Sequence, residues 1–180
     1  MKFISLIITV FLVGALSALA QTFKPAERVY KKTSKYVSDA FGGEVPKKAT
    51  VWVIGDLRDD INDVNAGYVD TPVRYRYWKD GDRTLWVLEN VARTMLFTTG
   101  VTVVNGTIED ISVLTYRESR GHEIQNRTHR AQFYGAKIMD DNSLDKPING
   151  ISGSTLSANS MKRMARIALL LHHDVTNDDE

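Results

Sequence analysis

The sequence predicts an α+β domain in which an antiparallel β-sheet packs with an N-terminal and a C-terminal helix. Three observations carry this. Two turn signals, Asp80-Gly81 and Asn105-Gly106, each separate stretches rich in β-branched and aromatic residues. Residues 111–116 alternate Ile111, Val113 and Thr115 with Ser112, Leu114 and Tyr116, a period of two. Residues 157–173 place Met161, Met164, Ala165, Ala168 and Leu171 on one helical face, opposite Lys162, Arg163 and Arg166.

The first twenty residues have the layout of a secretory signal peptide: Lys2, an apolar run from Phe3 to Leu16, and the small-residue site Ala18-Leu19-Ala20 before Gln21. That run is shorter than the ~20 residues that span a bilayer. The expectation is export, cleavage after Ala20, a periplasmic location, and no membrane insertion of the remainder. Removing residues 1–20 leaves 160 residues, enough for one domain with its own core. Lys2 departs with the signal, leaving 22 basic and 22 acidic residues. This balance argues against nucleic acid or an anionic membrane surface as the main partner. The absence of cysteine excludes disulfides, thiolate metal sites, CxxCH haem attachment and a lipid-bearing cysteine.

Along the remaining chain, residues 26–41 read as an amphipathic helix ended by Gly42-Gly43, and residues 50–54 as a strand. Residues 56–65, with Asp56, Asp59, Asp60 and Asp63, form a short helix or a loop. The hairpins comprise 73–78 with 84–91, and 101–104 with 107–116. In the second, Asn-Gly accepts the positive φ values of a type I′ turn. Residues 117–130 are polar and partly helical, 133–139 apolar, and 140–147 a loop. The helix over 157–173 precedes an acidic tail at 174–180. Trp52, Trp78 and Trp86 lie in strands and read as core residues. His172 and His173 close the last helix, where imidazolium complements its dipole.

The stretch with chemical content is Asn149-Gly150-Ile151-Ser152-Gly153-Ser154-Thr155-Leu156-Ser157, which leads into that helix. Helix N-termini offer free N–H groups and positive dipole ends to anions, and glycines admit a phosphate close to the backbone. A plainer reading has Ser157 as the helix cap and the rest as a turn. The four histidines share no ligand spacing that would argue for a metal. Ser152-Gly153-Ser154 lacks the Gly-x-Ser-x-Gly elbow of a hydrolase.

This stretch resembles the flavinylation motif of the FMN-binding domain family, found in periplasmic subunits of the Rnf and sodium-translocating NADH:quinone reductase complexes. The family pattern is approximately Asp-x-x-Ser-Gly-Ala-Thr, then a hydrophobic residue and Thr or Ser. Ser152, Gly153 and Thr155 match it, and Leu156 and Ser157 follow in kind. Asn149 stands in place of Asp, and Ser154 in place of Ala. Upstream, Gly100 to Glu109 is similar to the family's strand–turn–strand. Residues 113–124 are similar to its strand leading into Glu-Thr-x-Gly, which in relatives lies near the flavin; here the corresponding residues are Glu118, Ser119, Arg120 and Gly121. A solvated Glu118–Arg120 ion pair is the alternative for that loop.

The resemblance covers residues 84–173, leaving 21–83 as an N-terminal extension packed on the same domain. It implies FMN held by a phosphoester to Thr155 and installed by a flavin transferase. It also implies electron exchange with a redox partner, either a membrane donor or a periplasmic cytochrome or reductase. The alternative is a non-redox binding or assembly module that keeps the fold without covalent flavin. A flavin reductase with its own small substrate has no assignable acid or base.

Overall fold

The computed structural model describes residues 27–177; the expected signal segment and the end of the acidic tail lie outside the described residues. One six-stranded antiparallel sheet organises the chain, in the order β1-β6-β5-β4-β3-β2. Its strands are β1 (Arg28–Val29), β2 (Ala49–Trp52), β3 (Arg74–Asp80), β4 (Arg83–Val91), β5 (Leu96–Val104) and β6 (Thr107–Tyr116). Helices α1 (Thr33–Ala40), α2 (Gly55–Asn65), α3 (Arg127–Ala131) and α4 (Thr155–Asn177) accompany them, with a 3-10 turn at His122–Gln125. The expected α+β class with N- and C-terminal helices is the class observed.

The β5–β6 hairpin follows directly from local chemistry. Its two-residue loop holds Asn105 at φ +50° and Gly106 at φ +70°, the left-handed pair a type I′ turn requires. On one face, Trp86, Phe97, Val101, Ile111 and Val113 meet Met161, Met164, Ala165 and Ala168 of α4 in the main core. Ile61 and Val64 seat α2 in the same core, resolving residues 56–65 as a helix. On the opposite face, Tyr36 and Val37 of α1 cover Leu85 and Leu114 in a smaller cluster. Covering both faces buries Leu114 in the smaller cluster as well as Val113 in the main one, and a bulge opposite Thr98 and Thr99 brings Tyr116 into the main core with Val113.

Glycine is required at position 100. A Cβ there would fall inside 3.0 Å of three Tyr36 ring carbons, so the aromatic ring lies directly on the β5 backbone. The Tyr36 hydroxyl then reaches the Thr102 hydroxyl at 3.1 Å.

Several local expectations are corrected. The N-terminal helix begins at Thr33 rather than 26, because Arg28 and Val29 pair with Tyr116 and Thr115 as a sixth strand. Strand β5 starts at Leu96, five residues earlier than expected, where it pairs with Val91. Trp86 is core and stacks on Tyr77 at 4.8 Å. Trp52 is 58% exposed, because Thr50, Trp52 and Ile54 project from the side of β2 opposite the buried Val51 and Val53. His172 is no dipole-capping imidazolium: α4 continues to Asn177, and the ring is buried. Its Nδ1 lies 2.8 Å from the Thr84 hydroxyl, and its Nε2 accepts the Gly106 N–H at 3.0 Å. Burial pushes its pKa down to about 4, so the neutral ring ties the hairpin tip to the helix.

No helix among the described residues is long and apolar enough to cross a membrane.

Candidate functional site

The motif forms a tight turn feeding directly into α4. The Ser154 N–H donates to the Ile151 carbonyl at 2.9 Å, and Gly153 sits at φ +82°. That is the third position of a turn needing a left-handed residue, which glycine supplies without steric cost. The Ser154 carbonyl accepts the Ala158 N–H at 2.9 Å, so helical bonding begins at Ser154. Thr155 is the first residue of a 23-residue helix, and its side chain is exposed. The N–H groups of Thr155, Leu156 and Ser157 have no acceptor within the helix, by helix geometry.

Ser157 is not the cap. It lies inside the first turn, buried, with its hydroxyl 2.7 Å from the Tyr116 hydroxyl. Tyr116 donates to the Arg120 carbonyl at 2.7 Å, which leaves Ser157 as the donor to Tyr116. Gly121, at φ +89°, completes the contact: a Cβ there would fall inside 3.0 Å of the Ser157 and Tyr116 hydroxyl oxygens. The 118–121 loop and the start of α4, some 35 residues apart in sequence, are thus brought together through Gly121, Tyr116 and Ser157.

Within that loop, Ser119 and Arg120 are exposed, whereas Glu118 faces elsewhere. One carboxylate oxygen of Glu118 accepts N–H groups from Arg93 at 3.2 Å, Thr94 at 2.5 Å and Met95 at 2.7 Å, together with the Thr94 hydroxyl. Partial burial would raise its pKa, but these donors outweigh it and hold the carboxyl below its ordinary value. Glu118 therefore secures the β4–β5 loop and forms no ion pair with Arg120.

Glu123 and Gln132, not singled out from sequence, and His129, one of the four histidines, complete the surroundings. Glu123 accepts the Ser154 hydroxyl at 2.5 Å, and this bond leads the effects that lower its carboxyl pKa. Ser154, where the family pattern has Ala, therefore spends its hydroxyl on a neighbouring carboxylate. Gln132 accepts the Asn149 backbone N–H at 2.8 Å through Oε1, and its amide nitrogen lies 3.3 Å from His129 Nδ1. His129 is buried, which lowers its pKa, with nearby Lys162 acting in the same direction. No sequence spacing signals these contacts, which join three separate stretches of chain.

The residues present fit a phosphate on Thr155. Nothing lies within 4 Å of a Cβ built on Gly150 or on Gly153, so both motif glycines face open space. Ser152, Gly153, Thr155 and Leu156 are all exposed around it. The Glu123 carboxylate is an anion at the same end of the helix and opposes the dipole's attraction for phosphate; its engagement with Ser154 keeps one oxygen occupied. A cavity of about 530 Å³ lies elsewhere and shares no residue with the 149–157 motif. It is lined by Tyr36, Thr102, Asp110, Arg130 and Tyr134, among others.

No curated protein matches the chain. Residues 94–170 match the family model of the FMN-binding domain, a segment running from the β4–β5 loop through β5 and β6 to within α4. Residues 94–170, which contain the whole 149–157 motif, are thus similar to the FMN-binding domain family.

Proposed function

We propose that this protein is an exported electron carrier whose FMN is held by a phosphoester to Thr155. The observation that carries the reading is the placement of Thr155: an exposed hydroxyl on the first residue of α4, after a glycine turn with open space around it. Ser152 and Gly153 flank the phosphate position, and the N–H groups of Thr155, Leu156 and Ser157 supply hydrogen-bond donors and the positive helix end. Tyr116, Gly121 and Ser157 hold the 118–121 loop against this turn, leaving Ser119 and Arg120 at the surface, where they would meet a flavin carried on Thr155. When bound, FMN supplies one- and two-electron redox chemistry, and the protein's part is to bind, orient and tune it. A tether suits a compartment in which a free cofactor would diffuse away. The carrier reading needs a flavin transferase for maturation and a separate redox partner.

Attachment forms a P–O bond at Thr155 Oγ while the pyrophosphate of FAD breaks, AMP leaves, and the threonine proton passes to solvent. The test is expression with and without an active transferase, followed by intact mass of the denatured protein and in-gel flavin fluorescence. A gain of one FMN less water, abolished in Thr155→Ala, is expected. An unmodified chain despite active transferase and export would overturn covalent loading. It would favour the alternative, a binding or assembly module without flavin, for which Asn149 in place of Asp is the observation.

A further inference from the structure

Charge is balanced along the chain but not around the sheet. Helix α1 covers one face over β4, β5 and β6, where Tyr36 and Val37 meet Leu85 and Leu114. Beyond Trp78, which packs against that cluster, it leaves the β2–β3 end of the face exposed, with Asp174 of α4 lining a hollow beside Thr50, Trp52 and Ile54. There Thr50 pairs with Arg76 and Trp52 with Arg74, and all four side chains are exposed. The extended backbone carries the alternation on to Ile54, which is 71% exposed. The Arg74 guanidinium lies 5.7 Å from the Trp52 ring centre, and the Lys48 ammonium 4.7 Å from that of Trp78. Among the described residues, none of Lys48, Arg74 and Arg76 forms an ion pair with a carboxylate. The aspartates of α2 belong to the opposite side, where that helix packs with α4.

We propose that this exposed end of the sheet docks on an anionic phospholipid surface, with Trp52 and Ile54 entering the headgroup boundary between Arg74, Arg76 and Lys48. Unpaired cations supply the attraction to anionic lipid. An exposed tryptophan with a neighbouring aliphatic side chain is the pairing that settles at a bilayer interface, the indole at headgroup level and the aliphatic group below it. A purely electrostatic contact with an acidic protein would use the cations but would leave Trp52 and Ile54 without a role. The proposal is independent of whether Thr155 carries flavin.

The test uses the chain from Gln21, which retains the whole sheet and both cores. It is mixed with vesicles of phosphatidylcholine, alone or with about 30% phosphatidylglycerol, and followed by co-sedimentation and tryptophan emission. Binding to the anionic vesicles only, weakened by salt and accompanied by a blue shift, is expected. Removing one surface charge should weaken partition roughly fivefold, so Arg74→Gln/Arg76→Gln should weaken it about 25-fold. Trp52→Ser, at an exposed site, should lose the blue shift while circular dichroism stays unchanged. Absence of partition by the folded protein, or equal partition by the double variant, would overturn the proposal. Binding to polyglutamate without vesicle partition would also overturn it and assign the face to an acidic protein.

Discussion

Tyr116 and Ser157 share a 2.7 Å hydrogen bond that joins the last residue of β6 to the first turn of α4. Through it, the position of the Thr155 turn depends on the central hairpin and not only on its own loop. Gly121 is the third member of this junction, since both hydroxyls occupy the space a side chain would need there.

Gly121→Ala should therefore be among the most damaging single substitutions near the motif. It forces a left-handed residue and a steric overlap together, for a loss of about 2–4 kcal/mol in urea denaturation. Tyr116→Phe keeps the shape but strands the Arg120 carbonyl and the Ser157 hydroxyl. It should cost about 1–2 kcal/mol and increase amide exchange in residues 119–121.

At the other face, Gly100→Ala should push Tyr36 off the β5 backbone and lower stability by about 1–3 kcal/mol. Removing the ring as well, in Gly100→Ala/Tyr36→Ala, should cost less than the sum of the two single changes. A double-mutant cycle showing simple additivity would refute the proposed ring–backbone contact.

The buried neutral His172 makes stability fall in acid. Its folded-state pKa, about 4, lies below the ordinary value of 6.5. Its contribution is thus fully present above pH 6.5 and is lost as pH falls towards 4, because the unfolded chain binds the proton first. The size is on the order of 2 kcal/mol once partial solvent access at the helix end is allowed for. Urea midpoints measured across this range should drop more steeply for the wild type than for His172→Gln, and parallel profiles would remove the assignment.

Glu118 holds the β4–β5 loop by its carboxylate, so Glu118→Gln should loosen residues 93–95. The expected loss is about 1 kcal/mol near neutral pH, with faster amide exchange at Thr94 and Met95. Its carboxyl pKa is lowered from 4.5, so the wild-type contribution is present above that value and disappears as pH falls through the folded-state pKa.

Asn149 presents its side chain to solvent and engages Gln132 only through its backbone N–H. Asn149→Asp should consequently fold like the wild type and raise the fraction of chain loaded with flavin by the transferase. Intact mass at equal transferase level measures this. An unchanged fraction would mean that the charge at position 149 does not limit modification.

Features set by neighbouring residues were readable in advance. Asn105-Gly106 announces its hairpin because positive φ is a property of those two residues. The apolar stripe of α4 announces a buried face because helical period is local. The Gly153 turn was legible for the same reason. Position against distant chain was not. A two-residue β1 carries too little pattern to stand out from a helix-like run, and only pairing with Tyr116 and Thr115 makes it a strand. Trp52 and Trp86 look alike as strand residues, yet one is exposed because β2 ends the sheet and α1 stops short of it.

Composition and local pattern thus established the α+β class, the hairpins and the long last helix, all governed by backbone preferences within a few residues, whereas the motif was legible through its resemblance to the family's. Long-range packing assigned Ser157 to Tyr116, Ser154 to Glu123, Glu118 to the β4–β5 loop and His172 to Gly106. Hydrogen bonds between residues tens of positions apart depend on which surfaces the folded sheet brings together, and no sequence spacing encodes that.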